Sequence, residues 1–173
     1  MNLNIFKNKL FYITILIIIV FLILIFVFFI FRQTYIDSGI VSMIRIVDGD
    51  KQLNIDPSTQ IGHKILEKSS DILSHVIQVR MVFVGDEIYE ARNSSSYVEI
   101  ILNGRYRFKT YDREVETDKI IIFLSGEEEH IVTTFGGIDE HGQEVWNCYS
   151  ISPKHASFIE LKGIVKDLME SYR

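Results

Sequence analysis

One stretch of the sequence, Leu10 to Phe31, constrains the chain more than any other. It reads LFYITILIIIVFLILIFVFFIF, 22 residues whose only polar side-chain atoms are the hydroxyls of Tyr12 and Thr14. As an α-helix this stretch is roughly 33 Å long, which is enough to cross a bilayer core of ~30 Å. The sequence therefore predicts a single transmembrane helix whose partner is the lipid bilayer.

A cleaved signal peptide is the rival interpretation of this stretch. The apolar region of such a peptide is about 7–15 residues long and ends at a site of small residues. The run in this chain is longer, and it is followed by Phe31-Arg32-Gln33-Thr34-Tyr35, which has no small-x-small pattern. We therefore expect an uncleaved anchor that leads, through a linker at residues 32–39, into a soluble domain at residues 40–173.

The charges that flank the helix predict its orientation, because positive residues near a span stay on the cytoplasmic side. Lys7 and Lys9 precede the helix, whereas Arg32 follows it and is partly offset by Asp37. We therefore expect residues 1–9 to form a short cytoplasmic tail and the domain to be extracytoplasmic. The reversed topology, with the domain in the cytosol, is the alternative.

The charge of the domain limits its partners. Residues 33–173 contain 15 basic and 23 acidic residues, a net charge of −8. Because affinity for nucleic acid comes largely from Lys and Arg at phosphates, we expect no nucleic-acid partner. The single cysteine, Cys148, excludes a disulfide within the chain.

The remaining patterns predict an α+β domain. Two β-rich runs around Asp48-Gly49-Asp50 indicate a hairpin, and Asp56-Pro57 indicate the N-cap and first residue of an amphipathic helix that reaches His75. A strand, or a change from helix to strand, is expected over Ile77 to Val84, and a short helix capped by Asp86 follows. Ser157 and Glu160 match the capping box of a C-terminal helix. Further strands are expected at residues 119–124, 131–135 and 144–151, so the pattern favours a mainly antiparallel sheet with helices packed on one face.

The segment from Tyr97 to Thr110 predicts a second hairpin. A two-residue turn at Asn103-Gly104 would mix apolar and charged side chains on both faces. A three-residue loop of residues 102–104, with Gly104 in the left-handed region, pairs Ile100 with Tyr106 and gives one apolar and one charged face. We therefore favour the bulged register.

Cys148 is the first candidate for chemistry. An N-terminal anchor, a small β-rich domain and one cysteine together resemble the layout of sortase-type transpeptidases, in which the cysteine is the nucleophile and needs a His and an Arg nearby. The sequence Trp146-Asn147-Cys148-Tyr149 lacks the Thr-rich strand of that family, and the only later arginine is Arg173. Because a cysteine in an aromatic strand is more often a small buried apolar residue, we favour that role for Cys148, and the nucleophile is the alternative.

Other polar clusters are weaker candidates. The histidines are His63, His75, His130, His141 and His155, and none belongs to a zinc motif. His130 and His141 would approach each other only if their strands pair, with Glu129, Asp139 or Glu140 as further ligands. The acidic turns Asp48-Gly49-Asp50 and Glu127-Glu128-Glu129 lack the spacing of a calcium loop. We therefore assign no catalytic, cofactor or metal residue.

A basic stripe of Arg105, Arg107 and Lys109 lies on the charged face of the predicted hairpin. We favour a solvated face balanced by Glu99, Glu114 and Glu116, and a surface for anionic head groups or wall polymers is the alternative. The sequence as a whole favours a membrane-anchored module that binds an envelope polymer or a protein. An enzyme that uses Cys148, or a cytosol-facing regulatory domain, is the alternative.

Overall fold

The computed structural model describes Thr14 and residues 16–22, 35–111 and 113–172, with the backbone alone at residues 78–81. The chain divides into two compact units, residues 1–33 and 34–173. Within the predicted transmembrane helix, Thr14 and residues 16–22 are helical, and the remainder of Leu10 to Phe31 lies outside the described residues, as does the predicted tail at residues 1–9. Within the described ranges, no helix is long and apolar enough to cross a membrane.

The second unit is built on one seven-stranded sheet, and every neighbouring pair of strands is antiparallel. The strand order is β2-β1-β4-β5-β6-β7-β3. The strands are β1 (Val41–Asp48), β2 (Lys51–Ile55), β3 (Ile77–Val84), β4 (Tyr97–Lys109), β5 (Glu114–Phe123), β6 (Ile131–Ile138) and β7 (Glu144–Ser150). The helices are α1 (Gln60–His75), α2 (Asp86–Ser94) and α3 (Ala156–Ser171). The predicted α+β class and antiparallel sheet are confirmed.

The sheet separates two apolar clusters. On one face, α1 and α3 contribute side chains such as Ile72 and Leu161 to a cluster with Ile100 and Ile122 of the central strands. On the other face, Ile88 and Ala91 of α2 join Phe123, Trp146 and Cys148. The prediction of helices on one face therefore holds for the two long helices and is wrong for α2, because neighbouring residues of the central strands alternate between faces and both faces are apolar there.

The predicted hairpin around Gly104 is wrong. Residues 97–109 form one strand that pairs with β5 on both sides of a register shift between Ile101 and Tyr106. After this strand the Thr110 backbone N donates to the Arg113 oxygen over 2.8 Å. Gly104 does not have the positive φ that the bulged loop requires. Val98 pairs with Ile122 and Phe108 with Val115. Apolar and charged side chains therefore still alternate along β4 as expected, but the residues they pair with belong to β5.

Three predicted helix caps are also wrong. Helix α1 is capped by Thr59, whose hydroxyl accepts from the Gly62 backbone N over 3.1 Å, while Asp56 accepts from Ser58 in the turn before it. Ser157 does not cap α3, because its hydroxyl donates to Asp71 over 2.6 Å. At both Asp56 and Ser157 a nearby polar group competes for the capping side chain. Asp86 is the first residue of α2, and the N-cap is Gly85.

Close contact with the sheet and helices begins earlier than residue 40, where the sequence placed the domain boundary. Ile36 is fully buried, and its backbone N donates to the Ser70 hydroxyl of α1 over 2.8 Å. A 3₁₀ turn, Ser38–Ile40, capped by Asp37, then leads into β1. The end of the expected linker therefore packs against α1.

Candidate functional site

Cys148 lies in the apolar core. Its side chain is fully buried in the cluster that contains Phe83, Ile121 and Trp146. Burial raises the pKa of the thiol to about 12, with a smaller contribution from the negative charges of Glu128 and Glu87. Because a nucleophilic cysteine must be a thiolate, this environment favours the apolar role.

The structure does not bring His130 and His141 together. They lie at opposite ends of β6, and a strand of eight residues is roughly 26 Å long. Each imidazole instead faces the preceding glutamate, with 3.6 Å between His130 Nε2 and Glu129 Oε1 and 3.6 Å between His141 Nε2 and Glu140 Oε1. The predicted pairing of their strands is confirmed, but it separates the two rings.

The acidic turns have local partners. Asp48 accepts a hydrogen bond from the Ser96 hydroxyl, and Glu129 forms an ion pair with Lys162 over 2.7 Å. Partial burial, together with the charge of Glu127, raises the pKa of Glu128. Within the described ranges, neither turn belongs to a group of side chains arranged to hold a metal ion.

The basic stripe is only partly neutralised by the predicted acids. Arg107 lies 3.4 Å from Glu116 and 3.9 Å from Glu114, as expected for a solvated strand face. Glu99 does not balance the stripe, because it is bound by two other arginines. Arg105 extends over the neighbouring strand β6, where its guanidinium donates to the Gly136 carbonyl over 3.2 Å.

Glu99 is the centre of a charge network on the same face of the sheet. Its side chain is 4% exposed, and its two oxygens accept from Arg45 over 2.8 Å and from Arg92 over 3.2 Å. Burial lowers the pKa of Arg92, but the hydrogen bond to Tyr97 and the charges of Glu99 and Glu144 outweigh this effect and raise it. Two guanidinium groups therefore share one buried carboxylate.

Next to this network the sheet carries apolar side chains and a further cation. Met43 pairs with Ile101, and Ile101 pairs with Lys119 on β5. The Lys119 ammonium lies 5.1 Å from the centre of the Phe135 ring. All four side chains are half-buried, so they form a surface that is partly apolar and accessible to a ligand.

We call this region the open sheet face. It comprises Met43, Arg45, Arg92, Glu99, Ile101, Arg105, Lys119 and Phe135. Its four cations exceed its one carboxylate. Glu144, whose charge also acts on Arg92, accepts a hydrogen bond from Trp146 Nε1 over 3.0 Å. The stripe predicted from sequence contributes only Arg105 to it, and the other members come from strands far apart in the chain.

A second cluster was missed by sequence reasoning. Asp71, His75 and His155 place one ligand atom each within 4.8 Å of one another. Asp71 and His75 are four residues apart on α1, and this spacing, which can be read from the sequence, makes their side chains neighbours on a helix. His155 precedes α3, and only the packing of α3 against α1 brings it to the other two.

Comparison of the chain with protein-family models, with curated proteins and with solved structures finds no match.

Proposed function

We propose that this chain is a membrane-anchored binding module that uses the open sheet face to bind an anionic polymer of the cell envelope. In this proposal Leu10 to Phe31 form one transmembrane helix, residues 1–9 are cytoplasmic, and the domain is extracytoplasmic. The 22-residue apolar run supports the anchor, and Lys7 and Lys9 before it support the orientation.

The observation that carries the binding function is the excess of cations on the open sheet face. Residues 33–173 have a net charge of −8, yet Arg45, Arg92, Arg105 and Lys119 lie on one side of the sheet. Glu99 neutralises only one of them. Such a surface attracts phosphate or carboxylate groups, and the half-buried Phe135 and Ile101 offer apolar contacts to the polymer backbone.

The anchor would compensate for weak intrinsic affinity. The overall negative charge of the domain opposes a polyanion at long range, so the interaction should be modest and sensitive to salt. A tether raises the effective concentration of the domain at the envelope, and affinity in the millimolar to micromolar range then suffices.

A direct binding measurement tests this function. The probe is soluble poly(glycerol phosphate), titrated into the full chain in nonionic detergent at ionic strengths of about 0.01 M and 0.15 M. The double variant Arg105→Gln/Lys119→Gln should weaken binding about tenfold, equivalent to ~1.4 kcal/mol. These two residues are chosen because, unlike Arg45 and Arg92, they do not hold the buried Glu99.

The matched control is Lys64→Gln/Lys154→Gln, which removes the same charge from exposed positions elsewhere. Its affinity should stay within about twofold of the wild type. Equal weakening by both pairs would show general charge attraction without a site. Absence of polymer binding by the wild type at low salt would refute the proposed ligand class.

The orientation has its own test. Glu140 has a side chain that is 88% exposed in the turn between β6 and β7. A Glu140→Cys substitution in a Cys148→Ala background should react with a membrane-impermeant maleimide in intact cells. Labelling only after lysis would place the domain in the cytosol and favour the regulatory alternative.

The enzyme alternative predicts a different result when Cys148 is replaced. If this residue were a nucleophile, Cys148→Ser would abolish activity and any associated phenotype. The burial and raised thiol pKa described above support the opposite result, in which polymer binding by Cys148→Ser remains within about twofold of the wild type.

A further inference from the structure

The cluster of Asp71, His75 and His155 lies where two helices meet. Asp71 and His75 belong to the last turns of α1, and His155 is the residue directly before α3. The His75 and His155 rings are 4.9 Å apart between centres and inclined by 47°. An imidazole at the end of α1 and one directly before α3 therefore face each other with a carboxylate beside both.

The distances within the cluster approach those of a metal site. Asp71 Oδ1 is 3.4 Å from His75 Nδ1, and Asp71 Oδ2 is 3.8 Å from His155 Nε2. Ligand atoms around a tetrahedral Zn²⁺ with bonds of about 2.0–2.1 Å are roughly 3.3 Å apart. Because the His75 side chain is half exposed, its ring has room to rotate and complete the set.

A neighbouring hydroxyl holds the carboxylate in place. Ser157 donates a hydrogen bond to Asp71 Oδ2 over 2.6 Å. A contact of this kind is typical of a metal-binding carboxylate, because it fixes the orientation of the group. His75 Nδ1 lies 2.8 Å from the Asp71 carbonyl and 2.9 Å from the Ser74 hydroxyl, so binding of a metal by this ring exchanges these contacts for the ion.

His155 is the most enclosed of the three side chains. It is 18% exposed, compared with 30% for Asp71 and 50% for His75. Its Nε2 atom is the one nearer Asp71, whereas its Nδ1 atom is buried without a hydrogen-bond partner among the described residues. His155 therefore offers Nε2 to the cluster from a partly enclosed position.

We propose that Asp71, His75 and His155 form a Zn²⁺ site that joins the end of α1 to the start of α3. Two imidazole nitrogens and one carboxylate oxygen suit Zn²⁺ and neighbouring transition metals, whereas Mg²⁺ and Ca²⁺ require mostly oxygen ligands. Three protein ligands leave a fourth position for water or for a donor from a partner. This site is separate from the open sheet face and does not depend on the polymer-binding proposal.

Metal titration of the full, untagged chain tests the site. After removal of metals, Zn²⁺ is added to the protein in nonionic detergent, and binding is measured by competition with a chromophoric chelator. We expect one equivalent of Zn²⁺ to bind with a Kd of about 1 μM or tighter. Mg²⁺ at concentrations up to about 1 mM should not compete with it. Co²⁺ in place of Zn²⁺ should give visible absorption bands that report nitrogen and oxygen ligands.

The variants His75→Gln and Asp71→Asn should each weaken Zn²⁺ binding at least tenfold. His75→Gln changes a half-exposed side chain, so an unchanged Trp146 fluorescence spectrum establishes that this variant is folded. The matched control is His141→Gln, whose imidazole also lies beside a carboxylate but is 74% exposed, and it should leave affinity unchanged. Absence of stoichiometric binding by the wild type, or equal affinity in wild type and His75→Gln, would overturn the proposal.

Discussion

Glu99 is a buried carboxylate held between two guanidinium groups that remain in partial contact with solvent. The side chains of Arg45 and Arg92 are 26% and 20% exposed, whereas that of Glu99 is 4% exposed. The three groups therefore behave as a partly buried network, in which the charge at the centre stabilises two cations that would otherwise repel each other.

Replacing this carboxylate gives the first prediction. Glu99→Gln leaves two arginines next to each other without their anion, and we expect the free energy of unfolding to fall by ~2–3 kcal/mol. Urea unfolding followed by Trp146 fluorescence measures the loss. Glu116→Gln removes the carboxylate beside Arg107, and because that pair is exposed, it should change stability by less than ~0.5 kcal/mol. Equal losses in the two variants would contradict the burial of the network.

At the level of elements, the first turn of α1 packs tightly against the segment that precedes it. A Cβ atom on Gly62 would lie 2.3 Å from the Asp56 carbonyl oxygen and 2.9 Å from Pro57 Cα. Both neighbours are backbone atoms, so they cannot move aside as a flexible side chain would. This close approach explains a glycine inside a helix, where it otherwise costs ~1 kcal/mol relative to alanine.

Two glycines on different helices therefore give opposite predictions for the same substitution. Gly62→Ala should lower the free energy of unfolding by ~1–3 kcal/mol, because the added methyl group overpacks the first turn. In α3, a methyl group added at Gly163 would meet no neighbouring atom of the described residues within 4 Å, so Gly163→Ala should raise stability by up to ~1 kcal/mol. Thermal or urea unfolding of the two variants measures the difference. Stabilisation by both substitutions would show that α1 does not begin against Asp56 and Pro57.

The elements also show how far local patterns predict this fold. The β1–β2 hairpin, the strands β5 to β7 and both long helices follow from turn residues and apolar periodicity. The turn after β4 does not, since Asn103-Gly104 is a strong local turn signal and the chain nevertheless continues to Thr110. Both halves of β4 pair with β5, and the hydrogen bonds of this pairing join residues that are distant in the sequence. A local turn signal carries no information about them. Thr59 likewise replaces Asp56 as a cap because Asp56 is occupied by Ser58.

At the scale of the whole molecule, the candidate sites depend on contacts between distant parts of the chain. Cys148 is recognisable from sequence as an apolar core residue because it stands between aromatic residues on a strand. The open sheet face is not recognisable in this way, since Arg45, Arg105 and Lys119 become neighbours only through the strand order. The same holds for His155, which reaches Asp71 through the packing of α3 on α1.

The two apolar clusters share their strands, and this sharing predicts how the domain unfolds. On β5, Ile120 and Ile122 face one cluster while Ile121 and Phe123 face the other. Loss of packing on one face therefore loosens the strands that form the opposite face. We expect a single cooperative transition rather than separate unfolding of the two sides.

The single tryptophan makes this prediction measurable, because Trp146 lies in the cluster covered by α2. Ile72→Ala changes only the opposite cluster and should cost ~2–5 kcal/mol. In urea, its Trp146 fluorescence and far-UV circular dichroism should shift to the same lower midpoint, as should those of Ile88→Ala, which acts from the tryptophan side. If Ile72→Ala left the fluorescence midpoint at the wild-type value while the circular dichroism midpoint fell, the two faces would unfold independently. Coincident shifts would instead mean that the shared strands transmit the loss of packing at α1 to the cluster around Trp146. A ligand that binds either face would then stabilise the whole domain.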